Sequence, residues 1–185
     1  MLRRIRAGLA ASILVLALAA ACGGGTESDS AADWANGFCS SLTTWGNQLQ
    51  TSVDSLTSGG ITMDSVSTAI DDVKGATDTL KSDLQGLGAP DTSDGQEAQD
   101  SVTTLADDLE ADVEEIRAAF EGASGVSELP AAVSTATATI ATMQDQITTT
   151  YNTLQGLDPE GQLNAALQNS EDCQQLQQQF GQTGS

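Results

Sequence analysis

The chain has 185 residues and a net charge of −20, with 6 basic residues against 26 acidic ones and no histidine. This length suits one domain once an N-terminal address segment is set aside. Because so acidic a surface repels phosphates, no nucleic-acid partner is expected. The lack of histidine also removes the usual general base and the commonest metal ligand.

The N-terminus has the pattern of a secretory signal. Residues 1–6 are short and basic, and residues 7–21 form a run of apolar or small residues. That run is shorter than the roughly 20 residues that span a bilayer. We therefore predict a signal peptide over residues 1–21. Its removal would leave Lys74, Lys81 and Arg117 as the basic residues of the mature chain.

The end of this segment, Leu18-Ala-Ala-Ala-Cys22, resembles a bacterial lipobox. In that class the cysteine carries acyl chains such as palmitate and becomes the first mature residue. Ala19 departs from the pattern, which more often has leucine there. The next residues are rich in glycine and polar side chains, so we predict a flexible tether over residues 22–32. The alternative is ordinary secretion with cleavage after Ala21.

Two further cysteines, Cys39 and Cys173, remain if Cys22 is acylated. Exported proteins meet an oxidising environment, so an even remainder predicts a disulfide. The alternative is a redox or metal site. The chain has no CxxC motif and no histidine, so the usual zinc ligand sets are missing. The expected disulfide would join opposite ends of the mature domain.

Apolar residues recur at helical spacing through most of the mature chain. The first predicted helix ends at residues 57–60, and the second is broken by residues 86–95, which include Pro90. The first apolar stripe consists of Trp34, Phe38, Leu42, Trp45, Leu49, Val53 and Leu56. The second consists of Met63, Val66, Ile70, Val73, Thr77, Leu80, Leu84 and Leu87.

The third predicted helix begins near Asp94, which is placed with Glu97 like a capping box, and ends at residues 122–125. Its stripe consists of Ala98, Val102, Leu105, Leu109, Val113, Ile116 and Phe120.

The fourth predicted helix spans about residues 127–154. Residues 134–142 alternate Thr and Ala, as a strand would, but no other segment offers a strand to pair with. Its stripe consists of Val133, Ala136, Ile140, Met143, Ile147, Tyr151 and Leu154. We predict that a fifth helix begins at Asp158-Pro159, with Asp as N-cap. Its stripe consists of Leu163, Leu167, Cys173, Leu176 and Phe180.

These patterns predict an all-α fold. Long helices with short connections pack as antiparallel neighbours, so we expect an up-down bundle of four long helices over residues 33–180. The C-terminal helix would fold back and be linked to the first by the disulfide. Residues 181–185 are predicted to be a disordered tail.

Few residues suggest chemistry. We find no GxSxG, P-loop or dinucleotide motif, and we predict no enzyme activity, no cofactor and no metal site. The acidic cluster Asp107, Asp108, Glu110, Asp112, Glu114 and Glu115 is expected to be a solvated helix face, with a weak cation or basic-partner site as the alternative. Trp34, Phe38 and Trp45 are expected in the core, with ligand contact as the alternative.

The lipobox-like Cys22, the glycine-rich residues after it, the Ala/Thr/Asp-rich composition, the Trp34…Phe38-Cys39 start and the lone late Cys173 resemble small exported lipoproteins of actinobacteria. The resemblance implies export and a lipid anchor at the outer face of the cell membrane. It implies no activity and carries over no ligand residues. We therefore expect a cell-envelope interaction or scaffold module, with an envelope protein as its candidate partner. The alternative is a module that binds a small molecule or lipid between helices.

Overall fold

The computed structural model describes residues 27–59, 62–123, 125, 127–159 and 161–180. Within them lie six helices and no strands. They are α1 (Glu27–Gly59), α2 (Met63–Leu87), α3 (Gly95–Glu121), α4 (Leu129–Leu157), α5 (Gln162–Asn169) and α6 (Glu171–Phe180). The predicted all-α bundle is confirmed. The predicted signal peptide and the C-terminal tail lie outside the described residues.

The helices α1 to α4 pack in chain order, each against the next. The seam between α1 and α4 is filled by α5 and α6, which pack on α1 and also contact α4. In the described part of the chain, no Cα atoms of α1 and α4 approach within 8 Å. Helices α5 and α6 therefore separate α1 from α4.

Helix α6 lies beside only part of α1. A disulfide joins Cys173, near the start of α6, to Cys39 in α1. Gly46 lies against the Phe180 ring at the end of α6, so α6 runs parallel to α1 and stops beside Gly46. At about 1.5 Å per residue, roughly 20 Å of α1 extends beyond that point. We call residues 47–59, 63–76, 112–121 and 129–146 the open half of the bundle.

Most of the predicted stripes form the core. Every predicted apolar position of the third and fifth helices is buried. Three predicted core positions are wrong: Val53, Met63 and Val133 are 43%, 41% and 41% exposed. All three lie in the open half, where α6 does not reach. The helical spacing of Val53 and Val133 is correct, but α6 packs between α1 and α4 and ends before it can cover them. Met63 is the first residue of α2 and lies at the end of that helix.

Two predicted boundaries are also wrong. The predicted tether over residues 22–32 overlaps α1, which begins at Glu27, and Ala31 is fully buried. The expected fifth helix does not begin at Asp158. Instead α4 continues to Leu157, a turn follows in which the Gly161 amide donates to the Asp158 carbonyl, and α5 begins at Gln162. Gly161, which has low helix propensity, favours this turn over a first helical turn.

The connection between α2 and α3 uses glycines where the backbone requires them. Gly88 ends α2 with φ of 65°, a conformation that favours glycine. A Cβ atom at Gly95 would overlap the backbone carbonyl oxygen of Pro90. Asp94 lies at the N-cap of α3 as predicted, but its carboxylate accepts a hydrogen bond from the Ser93 hydroxyl and makes no cap.

Candidate functional site

The three aromatic residues proposed from sequence are part of the core. Trp34 and Phe38, one helical turn apart in α1, stack with ring centroids 5.6 Å apart and planes 7° apart. Trp34 Nε1 donates to the Gly88 carbonyl at 2.8 Å, and Trp45 Nε1 donates to Thr77 Oγ1 at 2.9 Å. These bonds satisfy the polar groups that such rings bring into a core.

Burial leaves these rings little surface for a ligand. Trp34, Phe38 and Trp45 are 5%, 0% and 2% exposed. The two pockets described below are lined by none of the three. The aromatic rings therefore hold α1 against α2 in this structure.

The disulfide between Cys39 and Cys173 joins α1 to α6 across 134 residues of sequence. Both residues are fully buried. The Cys173 amide donates to Ser170 Oγ at 3.2 Å, which caps the start of α6. The sequence contains this helix-start signal, because Ser170 is followed by the acidic residues Glu171 and Asp172. The prediction of one continuous C-terminal helix overlooked it.

The acidic cluster of α3 is divided among different surroundings. Asp107 and Glu110 lie 2.8 and 2.5 Å from Lys81 Nζ on α2, and Glu114 lies 3.8 Å from Lys74. Asp108 and Glu115 are exposed, and Asp112 is half-buried towards α4. The cluster is therefore not a single acidic surface.

All three basic residues of the described chain lie on α2 and α3 and are paired with acids. Hydrogen bonds from Lys81 to Asp107 and Glu110 raise its pKa, and a hydrogen bond to Glu121 raises that of Arg117. Exposed pairs of this kind contribute little to stability, because solvent screens the attraction between the charges. They neutralise one strip of the surface and leave the rest acidic.

The Asp112 carboxylate lies where its surroundings raise its pKa. Burial raises the pKa of Asp112, a hydrogen bond from the Gln146 side chain lowers it, and the nearby Glu115 and Asp108 raise it. Asp112 Oδ2 and Gln146 Oε1 are buried without a hydrogen-bond partner among the described atoms. Two acceptor oxygens thus lie unpaired at the contact of α3 and α4, a cost to folding when the carboxylate is ionised.

Two pockets occur on the described surface. The larger, about 790 Å³, is an open groove between α1 and the α5–α6 pair, with Glu171 and Asp172 on its edge. The smaller, about 270 Å³, lies between α4 and α6. We call it the Tyr151 pocket. Its lining residues are Ile147, Thr148, Tyr151, Asn152, Gln155, Leu176, Gln177 and Phe180.

The Tyr151 hydroxyl is held by three hydrogen bonds. It donates to the Leu167 carbonyl at 3.3 Å and accepts from Gln177 Nε2 at 2.6 Å and Gln155 Nε2 at 3.2 Å. Burial raises the pKa of Tyr151, while the two amide hydrogen bonds lower it. Sequence reasoning placed Tyr151 on a core stripe and missed this arrangement. The only available signal was a lone tyrosine facing a glutamine-rich last helix.

Catalytic or metal-binding groups are not apparent in the part of the chain that the structure describes. Among these residues, no three His, Cys, Asp or Glu side chains are placed to hold a metal ion. None of the described helices is long and apolar enough to cross a membrane. Comparison with protein-family models, curated proteins and solved structures finds no match.

Proposed function

We propose that the chain is an exported lipoprotein, anchored through acylated Cys22 at the outer face of the cell membrane. Its helical domain would then be a cell-envelope interaction module. The basic, apolar and small-residue order of residues 1–22 supports the anchor. Each buried CH₂ of an acyl chain contributes about 0.8 kcal/mol, so two or more chains hold a protein stably.

The anchor constrains how the bundle stands on the membrane. Cys22 precedes Glu27, the first residue of α1, by five positions. Five residues span at most about 18 Å when fully extended. The start of α1 therefore lies near the lipid head groups. Val53 lies about 40 Å further along α1, at about 1.5 Å per residue. The open half of the bundle is thus the end of α1 remote from the anchor.

The single observation that carries the interaction role is the exposed apolar surface at that remote end. Val53, Met63 and Val133, the large hydrophobic residues exposed in the described chain, all lie in the open half. Scattered exposed apolar residues are common on protein surfaces, but these three share the half that α6 leaves uncovered. With 26 acids in the chain, the complementary partner surface is apolar with a basic rim.

Site-specific photo-cross-linking in cells tests this proposal. A photoreactive amino acid would replace Val53 or Val133, with exposed Gln85 at the opposite end of the bundle as the matched control. We expect both open-half positions to capture the same envelope protein, and the control not to. Capture should be lost when Cys22→Ala releases the chain from the membrane. Equal capture at Gln85, or no capture at either valine, would refute the interaction role.

A second function, the binding of a small molecule between helices, is supported by the Tyr151 pocket rather than by the aromatic residues of α1. Neither pocket is lined by Trp34, Phe38 or Trp45, whereas Tyr151 lines the pocket between α4 and α6.

A further inference from the structure

The Tyr151 pocket lies between α4 and the C-terminal part of α6. Its apolar walls are Ile147 and Tyr151 from α4 and Leu176 and Phe180 from α6. These side chains are buried from 1% to 8% exposed, so they belong to the core and not to a mobile surface. The pocket is thus a defined opening in a packed seam.

Helix α6, which forms one side of the pocket, is held against α1 at both of its ends. Cys173 is bonded to Cys39 one turn before Leu176, which fixes the start of α6 on α1. At the other end of α6, the Phe180 ring lies against Gly46 of α1. The pocket is therefore largely formed before any ligand arrives, which lowers the entropic cost of binding.

The lining of this pocket carries no charge. All eight lining residues are uncharged, although the chain contains 26 acidic residues. An anion would meet no cation there and would be repelled by the acidic surface. A cation would find no carboxylate partner in the lining. The chemistry of the walls therefore selects an uncharged ligand.

The polar groups at the rim specify a hydrogen-bonding ligand. The amide nitrogens of Gln155 and Gln177 donate to the Tyr151 hydroxyl. Each of these two side-chain amides has a second N–H and a carbonyl oxygen besides, so the lining offers both donors and acceptors to a ligand. Three hydrogen bonds fix the phenol ring, so Tyr151 provides a rigid wall. A few polar groups around an apolar cavity are typical of small-molecule sites.

We propose that the Tyr151 pocket binds a small uncharged molecule with an apolar body and one hydrogen-bonding group, such as an alcohol or a primary amide. The volume of about 270 Å³ limits its size. Pockets for drug-sized ligands have volumes of roughly 300–1,000 Å³, so this ligand is smaller than most of those. The apolar body lies against the accessible parts of the Tyr151 and Phe180 rings, which are 6% and 8% exposed, and its polar group reaches the glutamine side-chain amides.

The chain contains one tyrosine, which allows the pocket to be observed directly. The full disulfide-bonded chain, labelled with ring-¹³C tyrosine in phospholipid nanodiscs, would be titrated with benzyl alcohol and separately with benzoate. The two probes share a ring, but benzoate is an anion. We expect a saturable shift of the Tyr151 resonance with benzyl alcohol and none with benzoate.

A matched pair of variants locates the binding. Thr148→Trp fills the rim of the pocket, whereas Thr149→Trp places the same ring at an exposed neighbour outside the lining. We expect Thr148→Trp to weaken benzyl alcohol binding at least about tenfold and Thr149→Trp to leave it within about twofold. Partitioning of the probe into lipid affects both variants alike.

Three results would overturn the proposal: no saturable Tyr151 shift in the unmodified chain, an equal shift with benzoate, or equal weakening by the two tryptophan variants. The comparison of the two probes needs no variant, so it decides the matter even if Thr148→Trp fails to fold. The interaction role of the open half does not depend on this outcome, because its cross-linking positions lie outside the pocket.

Discussion

Replacing both Cys39 and Cys173 by alanine removes the covalent link between α1 and α6. The bond closes a loop with a sequence separation of 134 residues. In the chain-entropy treatment, releasing such a loop in the unfolded state costs about 5 kcal/mol of stability at 25 °C. Because domains of this kind are stable by about 5–15 kcal/mol, we expect the variant to lose a large fraction of its free energy of unfolding.

Guanidinium unfolding, followed by tryptophan fluorescence, measures this loss. Trp34 and Trp45 are both buried, so unfolding exposes both indoles. The comparison is made between chains that both carry Cys22→Ala, so that neither is acylated and the two differ only in the bonded pair. A loss below about 2 kcal/mol would refute the reasoning, since it would mean that packing alone holds α6 in place.

Further predictions concern single side chains, and each is checked by denaturant unfolding. Thr77→Val leaves the buried indole N–H of Trp45 without its acceptor and should cost about 1–3 kcal/mol. Gly95→Ala should destabilise the domain by at least about 2 kcal/mol, because its Cβ meets a backbone carbonyl. Gly75→Ala, which meets nothing within 4 Å in the middle of α2, should instead stabilise it by about 1 kcal/mol. The raised pKa of Asp112 opposes folding above that pKa, and the cost disappears as the pH falls towards the unfolded value. Asp112→Asn should therefore stabilise the domain at pH 7 by up to about 1 kcal/mol and flatten its pH dependence; lower stability in this variant would contradict the assignment.

The helical class was predictable because each segment repeats its apolar residues at one spacing over several turns. Even the Thr/Ala alternation of residues 134–142 did not mislead, since it lies within a longer helical stripe and forms part of α4. The disulfide was predictable from the number of cysteines together with the predicted export of the chain. Most of the fold was therefore predictable from the periodicity of apolar residues and from the number of cysteines.

The errors arise where distant contacts decide the outcome. Val53 and Val133 follow the apolar periodicity of α1 and α4. That periodicity does not predict where α6 ends, and α6 does not extend far enough to cover them. Asp158 and Pro159 are a strong local start signal, yet Gly161 and the burial of Leu163 place the helix start later. The pocket lay beyond sequence reasoning for the same reason, because Tyr151 and Gln177 meet only after α6 packs against α4.

Intact mass of the protein from the membrane fraction of a native-like host tests the central claim, an acyl-anchored and disulfide-locked bundle, most directly. Masses would be taken before and after reduction with thiol labelling. We predict a chain that begins at Cys22 and carries acyl chains, with two labelled thiols appearing only after reduction. A mass beginning at Cys22 or later without acyl chains would contradict the anchor, and free thiols at Cys39 and Cys173 before reduction would contradict the disulfide.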